Sequence, residues 1–231
     1  MKILAIDTAT EACSAALYFD GEINQQYRVA PREHSHIILP MIDQLLAEAG
    51  IRVSDLDALA FGRGPGSFMG VRIAAGVTQG IAFAWDLPVV PISTLAAIAQ
   101  TAHAETGATS VLSAIDARMN EVYWGAYRLS DDGCMELTGK EIVILPEQVN
   151  CPGEHDWCGA GSGWASSSRA CVSSPSTRAT SALCAGVGFA VSPTSRSWTP
   201  SSRACAVAGR RRTSRSWATH ASPAWPKRPA S

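Results

Sequence analysis

A glycine-rich segment at residues 62–73 lies between two apolar segments and constrains the fold of this chain more than any other feature. Residues 58–61 before it are continuously apolar, as in a strand buried on both faces. Residues 71–85 after it place small and apolar side chains at helical spacing. We therefore predict a turn from a strand into a helix, with Ser67 or Gly70 starting the helix.

Such a turn has the chemistry to bind an anion. Glycines let a phosphate approach the backbone closely, and the first turn of a helix has free N–H groups. Gly64, Gly66 and Ser67 are the candidates in this loop. The P-loop pattern GxxxxGK[ST] is absent from the segment. The alternative is a tight turn that only packs the helix against the strand.

An internal repeat surrounds this turn. Residues 2–7, 12–19 and 22–30 have the pattern of a three-strand meander, and strands at 110–116 and 122–129 repeat its beginning. The repeat continues through residues 140–145. We therefore predict two similar lobes with a cleft between them.

Each copy of the repeat ends its first strand in an aspartate, Asp7 in one and Asp116 in the other. An aspartate at the end of a buried strand can hold a hydrated metal ion, and the hydroxyl of Thr8 next to it can contact a phosphate. More often such residues only cap a turn. Asp7, Thr8 and Asp116 thus join the loop residues as candidates for contacts with a phosphate or nucleotide.

Two helices expected in the first lobe, at 33–49 and about 70–85, carry apolar and small residues. Gly50 marks the end of the first helix. We predict that these residues form an interface with another subunit, because small residues let helices approach closely. The alternative is that both helices only pack on their own sheet. The interface candidates are Ile37, Ile38, Met41, Leu45, Ala74, Ala75, Thr78 and Ile81.

The composition changes sharply near residue 165. All 20 acidic residues precede this point, whereas residues 165–231 carry ten of the 19 lysines and arginines. Two interpretations of this basic tail compete: a disordered arm that binds nucleic acid, or a segment translated out of frame. Tryptophans and cysteines in the tail, at positions 171, 184, 198, 205, 217 and 225, favour the frameshift.

These observations suggest three regions and a cytoplasmic location. The regions are an N-terminal lobe at 1–104, a partial C-terminal lobe at 105–164, and the aberrant tail at 165–231. The sequence contains no apparent signal peptide or membrane span. Its seven cysteines are odd in number and lack a CxxC pair, so we expect reduced thiols and neither a disulfide framework nor a zinc site.

The motifs over about residues 1–164 resemble those of the bacterial TsaB (YeaZ) family. The resemblance rests on Ile-Leu-Ala-Ile-Asp-Thr at residues 3–8, His-Ser-His at 34–36, and above all Gly-Pro-Gly-Ser-Phe-Met-Gly-Val-Arg at 64–72. Met69 occupies a position where the family usually has threonine. The tail does not resemble the family.

This resemblance implies an actin-like or Hsp70-like (ASKHA) α/β fold of two duplicated lobes, the second incomplete here. It also implies a role in forming threonylcarbamoyladenosine at position 37 of tRNAs that read ANN codons. The expected partners are a catalytic paralogue, TsaD, in a heterodimer, and the ATPase TsaE. The resemblance further implies a homodimer when the chain is alone, indirect contact with tRNA, and ATP or ADP, if present, at the heterodimer interface.

Comparison with the TsaD paralogue argues against catalysis by this chain. Where TsaD is expected to carry metal-binding histidines, this sequence has Thr94 and Ile98. Isoleucine cannot coordinate a metal ion, and a threonine hydroxyl is a poor substitute for imidazole. We therefore expect a non-catalytic partner with no metal and no cofactor of its own. The alternative function is a stand-alone ATPase or sugar-kinase-like phosphotransferase; a metalloprotease has less support, because HExxH is absent.

Overall fold

A computed structural model of the chain describes residues 1–152, residues 157–166 and the short strand Arg178–Ala179. The first of its two five-stranded sheets has the strand order β3-β2-β1-β4-β5. Its strands are β1 (Ile3–Asp7), β2 (Ala12–Phe19), β3 (Glu22–Val29), β4 (Ala58–Gly62) and β5 (Val89–Ile92). The first three strands form an antiparallel meander, and β4 and β5 add in parallel.

The second sheet repeats this topology, with the order β8-β7-β6-β9-β10. Again a meander of three strands is extended by two parallel ones. The predicted duplication is therefore confirmed. Its strands are β6 (Ser110–Arg118), β7 (Glu121–Leu129), β8 (Met135–Ile144), β9 (Cys158–Ala160) and β10 (Arg178–Ala179).

Among the residues that the structure describes, four helices connect these strands: α1 (His34–Ala49), α2 (Phe68–Trp85), α3 (Thr94–Thr106) and α4 (Gly163–Ser166). Helix α1 ends at Gly50, whose φ of 65° is left-handed and favours glycine. The side chain of Ser67 accepts a hydrogen bond from the N–H of Gly70 and so caps α2. Ser93 caps α3 in the same way. Of the two predicted starts of α2, Ser67 is the observed one.

The core divides between the two sheets. Helices α1 and α2 pack on the first sheet, around Leu4, Ile6 and Leu59. Helix α3 packs instead on the second sheet, with Leu95 and Ile98 in its core. By packing, the first lobe therefore ends with β5 and α3 belongs to the second lobe, whereas the predicted N-terminal lobe at 1–104 included α3. Helical spacing alone does not indicate which sheet a helix covers.

The second lobe carries less helix than the first in the described part of the chain. Between β8 and β9 the structure describes a 3-10 turn, Pro146–Gln148, where the first lobe has α1. Residues 178–179, which we assigned to the aberrant tail, pair with β9. The other residues of that tail, apart from the end of α4, lie outside the described residues, as do 153–156.

Two further features of the structure concern the cysteines and the length of the helices. Cys134 is disulfide-bonded, so the expectation of reduced thiols throughout is wrong for this residue. The pairing of cysteines depends on distances in the fold, which cysteine spacing in the sequence does not give. Over residues 1–152 and 157–166, no helix has both the length and the apolar character needed to cross a membrane.

Candidate functional site

The glycine-rich loop packs directly on the turn that follows β1. The N–H of Ser67 donates a 2.6 Å hydrogen bond to the carbonyl oxygen of Ala9, and the hydroxyl of Thr8 donates one of 2.6 Å to the carbonyl oxygen of Gly70. A Cβ added at Gly66 would overlap the carbonyl oxygen of Ala9. Glycine is therefore needed at residue 66 because two backbone segments approach each other closely.

Asp7 lies beneath this loop and is 2 % exposed. Its Oδ1 accepts a 2.7 Å hydrogen bond from the N–H of Ala9, whereas Oδ2 has no hydrogen-bond partner among the described residues. A Cβ added at Gly62 would overlap Oδ2, so the carboxylate fills the space that a larger residue would need. Burial raises the pKa of Asp7 to about 6, although the hydrogen bond from Ala9 acts in the opposite direction.

The six residues predicted to contact a phosphate do not form one site. Gly66, Ser67 and Asp116 line a cleft between the lobes. Asp7, Thr8 and Gly64 are buried, and the cleft lining does not include them. The loop folds down onto the β1–β2 turn and uses the Thr8 hydroxyl in a structural hydrogen bond, so Asp7 and Thr8 are kept from the cleft, whereas Gly64 lines a separate pocket.

The cleft has a volume of about 730 Å³ and takes residues from both lobes. The first lobe contributes Glu11, Arg32 and His34, and the second contributes Arg118 and Tyr123. The Nε2 of His34 lies 3.0 Å from the carbonyl oxygen of Thr10, which ties the start of α1 to the turn after β1. Positive and negative side chains are mixed around the cleft, so its charge does not favour a strongly anionic ligand.

Helices α1 and α2 turn most of their predicted interface residues toward the core. Five of the eight are buried, and three, Ile37, Ala75 and Ile81, are partly exposed. The prediction is wrong for the buried five, because the apolar stripe of each helix covers the first sheet and is not free to contact another protein. These buried residues are Ile38, Met41, Leu45, Ala74 and Thr78.

The opposite side of α2 includes the exposed residues Met69, Gly76, Gly80 and Phe83, and we call these four the outer face of α2. Phe83 is 93 % exposed, and Met69 is also exposed. A Cβ added at Gly76 or Gly80 would meet nothing within 4 Å, so both glycines leave open space beside the helix. Our sequence reasoning missed this face. The available signal was a large aromatic residue outside the core-facing stripe.

The positions compared with the metal ligands of TsaD lie inside the second lobe. Thr94 and Ile98 are buried at the start of α3, and Ile98 packs in the core of the second sheet. Within the described residues, no group of three or more His, Cys, Asp or Glu side chains is arranged to hold a metal ion.

Comparisons with known proteins agree over the same part of the chain. Residues 22–165 match the family model described as TsaD, tRNA N6-adenosine threonylcarbamoyltransferase. The tRNA threonylcarbamoyladenosine biosynthesis protein TsaB of Escherichia coli (strain K12) is 48% identical over 167 residues, which cover 71% of this chain and 72% of that protein. The protein of the same name from Haemophilus influenzae is 47% identical over 177 residues, covering 73% and 75%.

A solved structure shares the fold. YeaZ from Pseudomonas aeruginosa is 50% identical to this chain and superimposes with a TM-score of 0.74, covering 80% of this chain and 86% of that one. Its likeness and the TsaD family match support the duplicated two-lobe α/β fold expected from the sequence.

Proposed function

The chain belongs to the TsaB (YeaZ) family of the actin-like fold, and we propose that it is the non-catalytic partner subunit of a TsaD-type threonylcarbamoyl transferase. Its curated relatives are named as tRNA threonylcarbamoyladenosine biosynthesis proteins, so the pathway is the formation of this modified nucleoside in tRNA. In this role the chain holds the catalytic subunit and activates it. The substrate tRNA, which reads codons that begin with A, contacts the chain only indirectly, through the complex.

The observation that carries this proposal is the outer face of α2. A phenylalanine that is 93 % exposed, beside two glycines with open space around them, costs free energy in water and favours contact with another protein. Met69 lies on the same face near the start of the helix. Small residues permit close approach of a second helix, and the aromatic side chain supplies apolar area to bury.

A paralogue of the same fold is the occupant that fits this face. The family model matched by residues 22–165 is that of TsaD itself, so the catalytic subunit has a corresponding helix to pack against α2. The same geometry pairs two copies of this chain in a homodimer when TsaD is absent, because a self-complementary face meets its own copy across a two-fold axis. A TsaE-type ATPase joins the complex, which acts in the cytoplasm.

A catalytic role for the chain by itself has less support than a partner role. The N–H of Ser67 and the hydroxyl of Thr8, which a phosphate would need, already bond to Ala9 and Gly70. Ile98 has no atom that coordinates a metal ion. The proposal therefore gives the chain no cofactor of its own and places ATP or ADP at the heterodimer interface.

The experiment that tests this proposal compares two exposed apolar residues. The chain is mixed with the TsaD-type protein of the same genome, and pairing is measured by size-exclusion chromatography with light scattering. Phe83→Asp is expected to abolish pairing, because it places an unpaired charge in the interface. Met119→Asp is the matched control: Met119 is 92 % exposed but lies in the β6–β7 turn and is not part of the outer face of α2.

Tight pairing of the Phe83→Asp variant with TsaD would contradict the proposed interface. Failure of the unmodified chain to pair with TsaD, or to stimulate threonylcarbamoyl transfer to tRNA, would contradict the proposed function itself.

A further inference from the structure

The two lobes are bonded to each other through Glu141 on β8, at the edge of the second sheet. Its Oε2 lies 3.0 Å from Nη2 of Arg63, which begins the glycine-rich loop of the first lobe. Its Oε1 accepts a 2.7 Å hydrogen bond from the hydroxyl of Tyr127 on β7. One carboxylate thus joins the loop of one lobe to the sheet of the other.

The segment that connects the two lobes, residues 92–94, lies beside the same Glu141 side chain. The side chain of Ser93, between β5 and α3, also interacts with the Glu141 carboxylate and helps to lower its pKa. The N–H of Arg63 donates to the carbonyl oxygen of Ile92 at 2.8 Å, and the N–H of Thr94 donates to that of Gly64 at 3.0 Å. Loop, crossing segment and second sheet therefore converge on a single side chain.

The electrostatics of Glu141 favour its charged form. Burial by itself would raise the pKa of this carboxyl group, but hydrogen bonds from Ser93 and Tyr127 and the charge of Arg63 outweigh burial and lower it. Glu141 is therefore an anion at neutral pH, and its hydrogen bonds are charge-assisted, which makes them stronger than neutral ones.

This contact differs from an ordinary surface ion pair, of which the chain offers an example. Arg52 and Asp55 lie three residues apart within the first lobe, at 3.5 Å, and the arginine side chain is 84% exposed. Such pairs contribute little to stability. Arg63 and Glu141 are 78 residues apart in sequence, and their side chains are 45% and 18% exposed, against 84% and 31% for Arg52 and Asp55.

We infer that Glu141 is an inter-lobe latch: through Arg63, Ser93 and Tyr127 it fixes the angle between the lobes and so the width of the cleft. In the described part of the chain, the backbone passes from the first lobe to the second once, at residues 92–94. A single crossing segment permits rotation of the lobes, and the latch bonds to that segment itself. Tyr123 lines both the cleft and the pocket beside the latch, so opening the latch widens the cleft.

Hydrogen exchange of the full chain tests the latch. Arg63→Gln and Glu141→Gln each remove the ion pair with little change in side-chain size. We expect exchange of the Arg63 and Thr94 amides to become about tenfold faster in both variants, because loss of the charged contact lets this region open locally. Arg52→Gln is the matched control and should leave both amides at their original rates.

The amide of Leu45, in the core of the first lobe, serves as the internal reference. Unchanged exchange at Arg63 and Thr94 in both glutamine variants would overturn the inference. Equal acceleration of all three amides would also overturn it, since the ion pair would then be a general stabilising contact and not a latch. Small-angle scattering provides a second measurement, in which both variants should show a larger radius of gyration than Arg52→Gln.

Discussion

The α-carbon of Gly70, in the first turn of α2, lies so close to the carbonyl oxygen of Thr8 that a Cβ at residue 70 would overlap it. The Thr8 hydroxyl also donates a hydrogen bond to the Gly70 carbonyl oxygen. The start of α2 is thereby fixed to the turn after β1. Since the outer face of α2 is the proposed interface, this contact also fixes the orientation in which that face is presented.

The first prediction concerns the two kinds of glycine in α2. Gly70→Ala should destabilise the chain by about 3 kcal/mol, because the added methyl group meets backbone atoms that cannot move independently. Gly76→Ala is the control in the same helix: its Cβ meets open space, and alanine should stabilise the helix by up to about 1 kcal/mol. Urea unfolding measures both, and equal stability of the two variants would contradict the role of Gly70.

The second prediction concerns pH and Asp7. Burial raises the pKa of Asp7 in the folded chain to about 6, from an ordinary value of 3.8. The folded state therefore binds more protons than the unfolded state between these values, and the contribution of Asp7 to stability falls as pH rises from about 4 to 6. Above pH 6 the cost is about 3 kcal/mol, taking about 1.4 kcal/mol for each pH unit.

Asp7→Asn should remove this cost, because the amide oxygen keeps the hydrogen bond from Ala9 without carrying a charge. We expect the variant to be more stable than the original chain at pH 7 and to lose that advantage near pH 4. Thermal unfolding across this range measures the difference. An advantage that stays constant with pH would show that ionisation of Asp7 is not its source.

The third prediction separates core from interface on the two helices of the first lobe. Met41→Asp should unfold that lobe, because it places a charge in the core, at a cost of about 4 kcal/mol or more. Phe83→Asp should leave the melting temperature almost unchanged, since the side chain is in water. Circular dichroism measures both variants. A folded Met41→Asp variant that has only lost pairing would restore our original assignment of this residue to the interface.

The fourth prediction concerns activity. The purified chain should hydrolyse no ATP and transfer no threonylcarbamoyl group alone, whereas its mixture with the TsaD-type subunit, TsaE-type ATPase and tRNA should form the modified nucleoside. Mass spectrometry of the digested tRNA and a phosphate-release assay measure the two activities. ATP turnover by the chain alone that is lost in Asp7→Ala would favour the phosphotransferase alternative.

Much of the secondary structure of the first lobe could be predicted from the local sequence. The meander, the helix ending at Gly50 and the turn capped by Ser67 depend on side-chain periodicity and on backbone preferences of a few residues, which act over short distances. The pattern of a strand that ends in aspartate occurs at Asp7 and again at Asp116, and this local pattern predicted the second sheet. The site was only partly predictable: glycines at 62, 64 and 66 indicated a close approach to the backbone, but not which group approaches.

Only the tertiary structure decided which surfaces meet. It placed α3 on the second sheet, turned Ile38 and Met41 inward, and left Phe83 in water. It also brought Glu141 to Arg63, 78 residues away. An amphipathic pattern identifies an apolar side of a helix but not its partner, because the free energy gained by burying a given apolar area does not depend on which apolar surface covers it. The choice among partners depends on the shape of the whole chain, which no local pattern in its sequence contains.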